Sequence, residues 1–234
     1  MEVMKPGTLA SYLDSTNLRL DATDADLRTL CIDARQHGFA AVMLYPASVT
    51  LAAKALAGSP VHVGTVIGFP HGRSLLAAKE AEIRAVADAG AHEVDIVMNY
   101  GDLRDGRRAA VATELGRLGT VARELQLLTK VIVETCYLDR DQKLAALALC
   151  EEAGIDFIKT STGFGASGAT VDDVKLFADR RRGSIRIKAA GGIKTLAQAR
   201  ALIDAGAERL GTSNAVALAI EESGGRAASP SSGY

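Results

Sequence analysis

The chain has 234 residues, 48% of them hydrophobic and 24% charged, which is enough to enclose a large core, and one α/β domain is a simpler solution than two small ones. A formal net charge of -1 excludes the strongly positive surface needed to bind a phosphate backbone, so no nucleic-acid partner is expected. No run approaches the ~18 apolar residues of a membrane span, and MEVMKPGTLA lacks the apolar stretch of a secretory signal, so the expectation is a cytoplasmic protein with no membrane partner.

In chain order, short apolar strands are predicted at 9–14 (LASYLD), 39–45 (FAAVMLY), 61–68 (VHVGTVIG), 92–99 (HEVDIVMN), 127–134 (LLTKVIVE), 156–161 (DFIKTS), 184–190 (SIRIKAA) and 208–213 (ERLGTS). Helical patterns fall between them at 24–37, 75–89, 109–125, 141–153, 171–180 and 195–204. Alternation of this kind predicts an α/β fold, a closed (β/α)8 TIM barrel. Gly38, Gly90, Gly154 and Gly206 each follow a helix and precede a strand, as the left-handed closing residue of an αβ turn does. An open doubly wound sheet is the competing fold, but the glycine fingerprint of a dinucleotide site is missing after the first strand. The barrel domain is assigned to residues 1–223. The small, polar GGRAASPSSGY at 224–234 is expected to be a mobile tail that ends in Tyr234.

Cys31, Cys136 and Cys150 form an odd set in a chain too large to need disulfides, so reduced thiols are expected. The four histidines are scattered, without metal-ligand spacing, and no metal is expected. His71 reads as an exposed loop residue, and Arg180, Arg181 and Arg182 as a solvated face after a helix.

In a barrel of this type alternate strand residues face the interior, and those near the C-terminal strand ends line the active site. The parity that collects the polar residues turns Asp14, Met43, Thr65, Asp95, Glu134, Lys159, Lys188 and Ser213 inward. It leaves Val42, Leu44, Val94, Ile96, Ile158 and Ile187 facing the helices. Any one of the polar residues is explained by a strand end that reaches solvent; the whole set is not. Lysine is seldom buried without a partner, because its ammonium is costly to desolvate. Burial and a neighbouring cation lower its proton affinity, and the neutral amine attacks carbonyls. With Asp95 as a proton shuttle, the pattern suggests Schiff-base chemistry, and it does not distinguish Lys159 from Lys188 as the nucleophile. Glu134 is placed to hydrogen-bond a lysine or neutralise it.

KAAGGIK (188–194) and RLGTSNA (209–215) put Gly191, Gly192 and Ser213 just after the seventh and eighth strands. Barrels frequently hold phosphate there, against backbone N–H groups and a helix N-terminus. Thr162 and Gly163 adjoin from the sixth strand. A pair of glycines alone more often marks a turn.

TVIGFPHG (65–72), EVDIVMNYG (93–101), KVIVET (130–135), DFIKTSTGF (156–164), KAAGGI (188–193) and RLGTS (209–213) together resemble the deoxyribose-phosphate aldolase family, and the likeness runs along nearly the whole chain. The resemblance implies a class I aldolase that needs no metal or cofactor. Such an enzyme reversibly cleaves 2-deoxy-D-ribose 5-phosphate to D-glyceraldehyde 3-phosphate and acetaldehyde, so its partners are a small phosphosugar and aldehydes, and a homodimer is favoured. It also breaks the symmetry between the lysines. By resemblance Lys159 forms the Schiff base, Lys188 lowers its pKa and assists proton transfer, and Asp95 belongs to the proton relay. Tyr234 folds over the site to exchange a proton. Gly163, Gly191, Gly192 and Ser213 contact the phosphate, and Thr162 and Asp14 are further substrate-binding candidates. Met43 stands where the family often has cysteine, and Asn214 where it often has serine. The alternatives are a different phosphosugar enzyme on the same barrel that uses its lysines as electrostatic clamps, and a phosphosugar-binding protein without turnover.

Overall fold

A computed structural model of the chain describes residues 8–225. Most of the 224–234 tail, with Tyr234, lies outside the described residues.

Eight parallel strands close on themselves in sequence order: β1 (Leu13–Thr16), β2 (Ala41–Leu44), β3 (His62–Ile67), β4 (Glu93–Val97), β5 (Leu128–Ile132), β6 (Phe157–Lys159), β7 (Arg186–Ala190) and β8 (Arg209–Thr212), with β8 pairing back to β1. The helices are α1 (Asp24–His37), α2 (Val49–Ala55), α3 (Leu76–Asp88), α4 (Tyr100–Arg104), α5 (Arg108–Glu124), α6 (Arg140–Glu152), α7 (Val171–Arg180), α8 (Leu196–Asp204) and α9 (Ala215–Glu222). This is the (β/α)8 TIM barrel that the alternation predicted. Among the described residues, no helix is long and apolar enough to cross a membrane.

Two expectations from the sequence are corrected. The first predicted strand, 9–14, begins as a 3-10 turn over Leu9–Tyr12, and extended pairing starts only at Leu13. Leu9 and Ala10 are buried, and the Leu9 N–H donates to the Glu222 carboxylate at the end of α9 (3.0 Å). That segment therefore caps the barrel instead of extending it. The second correction is Thr65, which pairs in register with Leu44 and Val94 on the helix-facing side and donates its hydroxyl to the Leu44 carbonyl at 2.9 Å. Val66, in register with Asp95, is the inward residue of β3. Side chains alternate with a period of two, so a one-residue error inverts a strand. Three short helices, α2, α4 and α9, carried no usable pattern.

The helix-facing positions behave as expected. Val42, Leu44, Val94, Ile96, Ile158 and Ile187 are all fully buried in one layer between sheet and helices, each contributing ~1.5–3 kcal/mol by removal from water. The predicted glycine junctions share one closure. Phe39, Ala91, Ile155 and Ala207 each donate an N–H to the carbonyl five residues back, and Gly38, Gly90, Gly154 and Gly206 hold positive φ. This is the Schellman turn, which glycine permits without steric cost. After α5 the same bond runs from Leu127 to Ala122 with Gln126 at φ 58, so one junction is built without glycine.

Buried Lys79 fixes the loops at the C-terminal end of the barrel. Its ammonium donates to the carbonyls of Gly72 and Val97, both at 2.7 Å, and to Glu114 at 2.6 Å. It thereby ties the GFPHG loop after β3 to the end of β4. A Cβ on Gly72 would fall 2.1 Å from the Met98 carbonyl oxygen, so the two loops approach as closely as backbone allows.

Candidate active site

The inward positions of adjacent strands are brought level by the register: Asp95 opposite Lys130, Lys159 opposite Lys188, and Lys188 opposite Arg209. Parallel pairing turns such partners to the same side, so charged groups from five strands meet in the barrel interior. The centre is the Asp95 carboxylate. Its Oδ2 accepts from Lys159 Nζ and Lys188 Nζ, each at 2.7 Å, and its Oδ1 accepts from Lys130 Nζ at 2.9 Å. Lys188 Nζ is also 2.5 Å from Asp14 Oδ2.

The electrostatics separate these groups. Burial alone would push the Asp95 carboxyl upward, but Lys130, Lys159 and Lys188 outweigh it and hold the group well below the usual carboxylate range. Lys130 goes the other way from an ordinary buried lysine. Burial disfavours its charge, yet Asp95, Glu93 and Asp14 surround it and raise its proton affinity. Lys159 is brought down to about 8, chiefly by burial, with Lys188 and Lys130 adding repulsion and Asp95 opposing them. At pH 7 roughly one Lys159 amine in ten is then neutral, against roughly one in three thousand for an ordinary lysine.

A pocket of about 240 Å³ opens above Lys159. Of the sequence-predicted site residues, Lys159, Thr162, Gly163, Gly191, Gly192 and Ser213 line it. Asp95, Lys188 and Asp14 are fully buried and do not line it. Asp14 meets cations, Lys188 and Arg209 Nη1 (2.6 Å), where a direct substrate contact was expected. Tyr234 lies outside the described residues.

The glycine loops are packed backbone to backbone. A Cβ on Gly168 would lie 2.1 Å from the Gly191 carbonyl oxygen, and Ala169 N–H donates to the carbonyls of Ala190 (3.0 Å) and Gly191 (3.2 Å). The loop after β6 is thus stitched to the loop after β7, and Gly163, Gly191 and Gly192 take positive φ values of 90, 84 and 76°. Lys194 adds a cation to the same wall.

Among the described residues, Glu134 pairs with no lysine. It sits just past β5 in the left-handed region (φ 53) and accepts from the Thr162 hydroxyl and, at 3.3 Å, from the Thr162 N–H. Burial raises its pKa against these hydrogen bonds. A non-glycine residue held in this conformation is a strained element that its surroundings must enforce, and its effect here is to fix the rim loop that follows Lys159.

Lys130, Glu93 and Arg209 escaped the sequence reading, although each stands inside a quoted motif. The signal was the parity itself. Glu93 is two residues before Asp95, Lys130 four before Glu134 and Arg209 four before Ser213, so the period that turned the expected residues inward turns these inward too, Lys130 level with Asp95 and Arg209 level with Lys188.

A sequence family described as DeoC/LacD family aldolase matches residues 8–221. The deoxyribose-phosphate aldolase of Deinococcus radiodurans is 47% identical over 211 residues, covering 90% of this chain and 95% of that protein. That of Thermococcus gammatolerans is 45% identical over 212 residues, covering 90% and 94%. Among solved structures, the deoxyribose phosphate aldolase from Aeropyrum pernix, described as having a unique tetrameric structure, superposes with a TM-score of 0.85 at 32% identity, over 90% of this chain and 89% of that one.

Proposed function

The chain belongs to the DeoC/LacD family of aldolases, and from that premise we propose that it reversibly cleaves 2-deoxy-D-ribose 5-phosphate to D-glyceraldehyde 3-phosphate and acetaldehyde through a Schiff base on Lys159. The observation that carries this reading is the state of one amine. Lys159 lies at the base of a pocket, with a pKa lowered to about 8, and shares a carboxylate oxygen with a second lysine.

The neutral Lys159 amine adds to C1 of the open-chain sugar, and loss of water leaves an iminium. A proton leaves the C3 hydroxyl through Asp95, Lys188 and water, the C2–C3 bond breaks, and its electron pair flows into the iminium to give an enamine. Glyceraldehyde 3-phosphate departs, C2 of the enamine takes a proton, and hydrolysis releases acetaldehyde and the amine. Tyr234 is the proposed proton donor in that last exchange. The sugar phosphate rests on Gly163, Gly191, Gly192 and Ser213, with Lys194 contributing charge. Thr162, held by Glu134, positions the loop between phosphate and lysine.

Incubation with acetaldehyde and borohydride should leave a reduced two-carbon adduct of about +28 Da on Lys159 in a peptide map. An adduct on Lys188 alone reverses the two roles, and a folded protein with no adduct favours lysines acting as clamps. Because only the neutral amine attacks, kcat/KM should climb with pH and level off above the Lys159 pKa of about 8. A profile flat from pH 6 to 9 would contradict this. The barrel and the residues 224–234 are proposed to act as one catalytic domain and its tail. A homodimer is proposed as the working unit, and light scattering should give a mass of two chains. The tetramer described for the Aeropyrum relative is the outcome that would correct it.

A further inference from the structure

The buried charges do not form isolated pairs; they close a ring. Asp95 accepts from Lys130 (2.9 Å), and Lys130 donates to Glu93 Oε2 (2.5 Å). Glu93 Oε1 faces Arg209 Nη2 (3.5 Å), and Arg209 Nη1 donates to Asp14 Oδ1 (2.6 Å). Asp14 Oδ2 meets Lys188 (2.5 Å), and Lys188 returns to Asp95 (2.7 Å). Signs alternate around the circuit, three carboxylates against three cations, so the ring is neutral by itself. Lys159 hangs from it at Asp95 Oδ2 (2.7 Å) as a fourth cation.

Each ring cation lies between two carboxylates. Lys130 has Asp95 and Glu93, with Asp14 further off at 3.9 Å, Lys188 has Asp14 and Asp95, and Arg209 has Asp14 and Glu93. Among the described residues, Lys159 forms an ion pair with one carboxylate, Asp95. A proton lost from a ring cation strips two buried anions of a partner, and desolvated unpaired charge is costly. A proton lost from Lys159 leaves the ring balanced.

We propose that this ring selects the reactive lysine: Lys130, Glu93 and Arg209 act as positioning residues that keep Lys188 and Lys130 charged and make Lys159 the surplus cation that sheds its proton. The inference rests on the Schiff-base reading for its catalytic meaning, but not for its test. The groups that bear on Lys159 from the surrounding elements are Asp95 on β4, Lys130 and Glu134 from β5 and its end, and Lys188 on β7. His62 on β3 touches the ring from below through Glu93 (2.8 Å), and the Phe157 ring on β6 lies under the guanidinium groups of Arg186 (4.0 Å) and Arg209 (5.7 Å).

The test is competitive acylation with trace acetic anhydride between pH 6 and 11, followed by peptide mapping, which reads the titration midpoint of Lys159 whether or not the lysine forms a Schiff base. Removing a ring cation with Lys130→Met should raise the midpoint by roughly one pH unit or more, and removing a ring anion with Glu93→Gln should lower it by a similar amount. The double variant removes one charge of each sign and should return close to the wild-type value. The acid limb of kcat/KM should follow the same order. Lys130→Met is the variant at risk of not folding, as shown by circular dichroism. In that case Glu93→Gln against the double variant gives the same comparison. A Lys159 midpoint that stays put, or moves the same way in Lys130→Met and Glu93→Gln, overturns the ring. Failure of wild-type Lys159 to trap acetaldehyde, with the midpoints moving as stated, overturns the aldolase assignment of Lys159 and leaves the ring standing.

Discussion

Lys159→Met is expected to reduce kcat/KM by roughly 10⁴-fold or more, while the folded barrel keeps or slightly gains thermal stability. The loss follows from removing the atom that bonds to substrate; binding and orientation by the remaining site recover little of a nucleophile's contribution. Lys188 is no substitute. It is fully buried, does not line the pocket, and is held between Asp14 and Asp95. The stability half of the prediction follows from the charges. Lys159 is the cation in excess of a balanced ring, its ammonium is desolvated, and its proton affinity is depressed to about 8, so an apolar side chain of similar length removes a cost and leaves the other ion pairs intact. Steady-state kinetics and a thermal melt on the same preparation check both. Residual turnover above a few per cent of wild type would remove Lys159 from the nucleophile's role.

Those two effects would separate catalysis from folding at one residue, and the reason lies in how the barrel is filled. Interiors of this fold are usually packed with branched aliphatic side chains. Here Met43 and Val66 keep that character on one side, while β1, β4, β5, β6, β7 and β8 supply charge. The apolar layer outside the sheet carries the hydrophobic stabilisation, which frees the inside of the strands to be polar. The polar interior then holds Asp95 from both its oxygens, so the group expected to relay protons cannot rotate away from either lysine.

Much of this was legible in the sequence because it depends on period and punctuation. A two-residue alternation that puts Val94 and Ile96 outside necessarily puts Asp95 inside, and the glycines that end helices mark where strands begin. Gly191 after β7 was legible for the same reason, since backbone that must pass within contact of backbone excludes side chains; Gly168, the residue it touches, was not singled out by the sequence. What escaped was set by tertiary geometry. The run LASYLD has the composition of a strand, but Leu9 and Ala10 are buried as a cap beneath α9. Thr65 was assigned inward because it is polar, whereas a single hydroxyl satisfied by the Leu44 carbonyl sits comfortably among aliphatic side chains. Lys130, Glu93 and Arg209 stand before the C-terminal strand ends where site residues are expected. The role of a charged residue at the start or middle of a strand is intelligible only when its partners on neighbouring strands are known, and those come from register, which the sequence does not print.

Asp95→Asn should damage both activity and stability, and the two losses should respond differently to pH. Asparagine keeps the shape and can still accept hydrogen bonds, but three ammonium groups within 2.9 Å lose their common anion. Breaking a buried charge cluster by removing one partner costs ~3–5 kcal/mol, which for a chain of this size lowers Tm by roughly 6–20 °C at pH 7. Loss of the relay should reduce kcat by roughly 10²–10⁴-fold. The pH sign follows from linkage. Without the anion the folded state binds the lysine protons more weakly than the unfolded chain does, so the unfolded state carries more protons across the interval below the ordinary lysine pKa. Stability then rises with pH there. Wild-type Lys159, at about 8 against 10.5, shows this between those values; the variant extends it to lower pH and to more lysines. The Tm deficit of Asp95→Asn should therefore shrink between pH 7 and pH 9.5 as the excess protons leave, while kcat does not recover, because neutral lysines restore charge balance without restoring the relay. Melts and rates at both pH values decide it: a deficit that is unchanged or larger at pH 9.5 would mean that the loss comes from an acceptor oxygen replaced by an amide NH2, and that the surplus charge is held elsewhere.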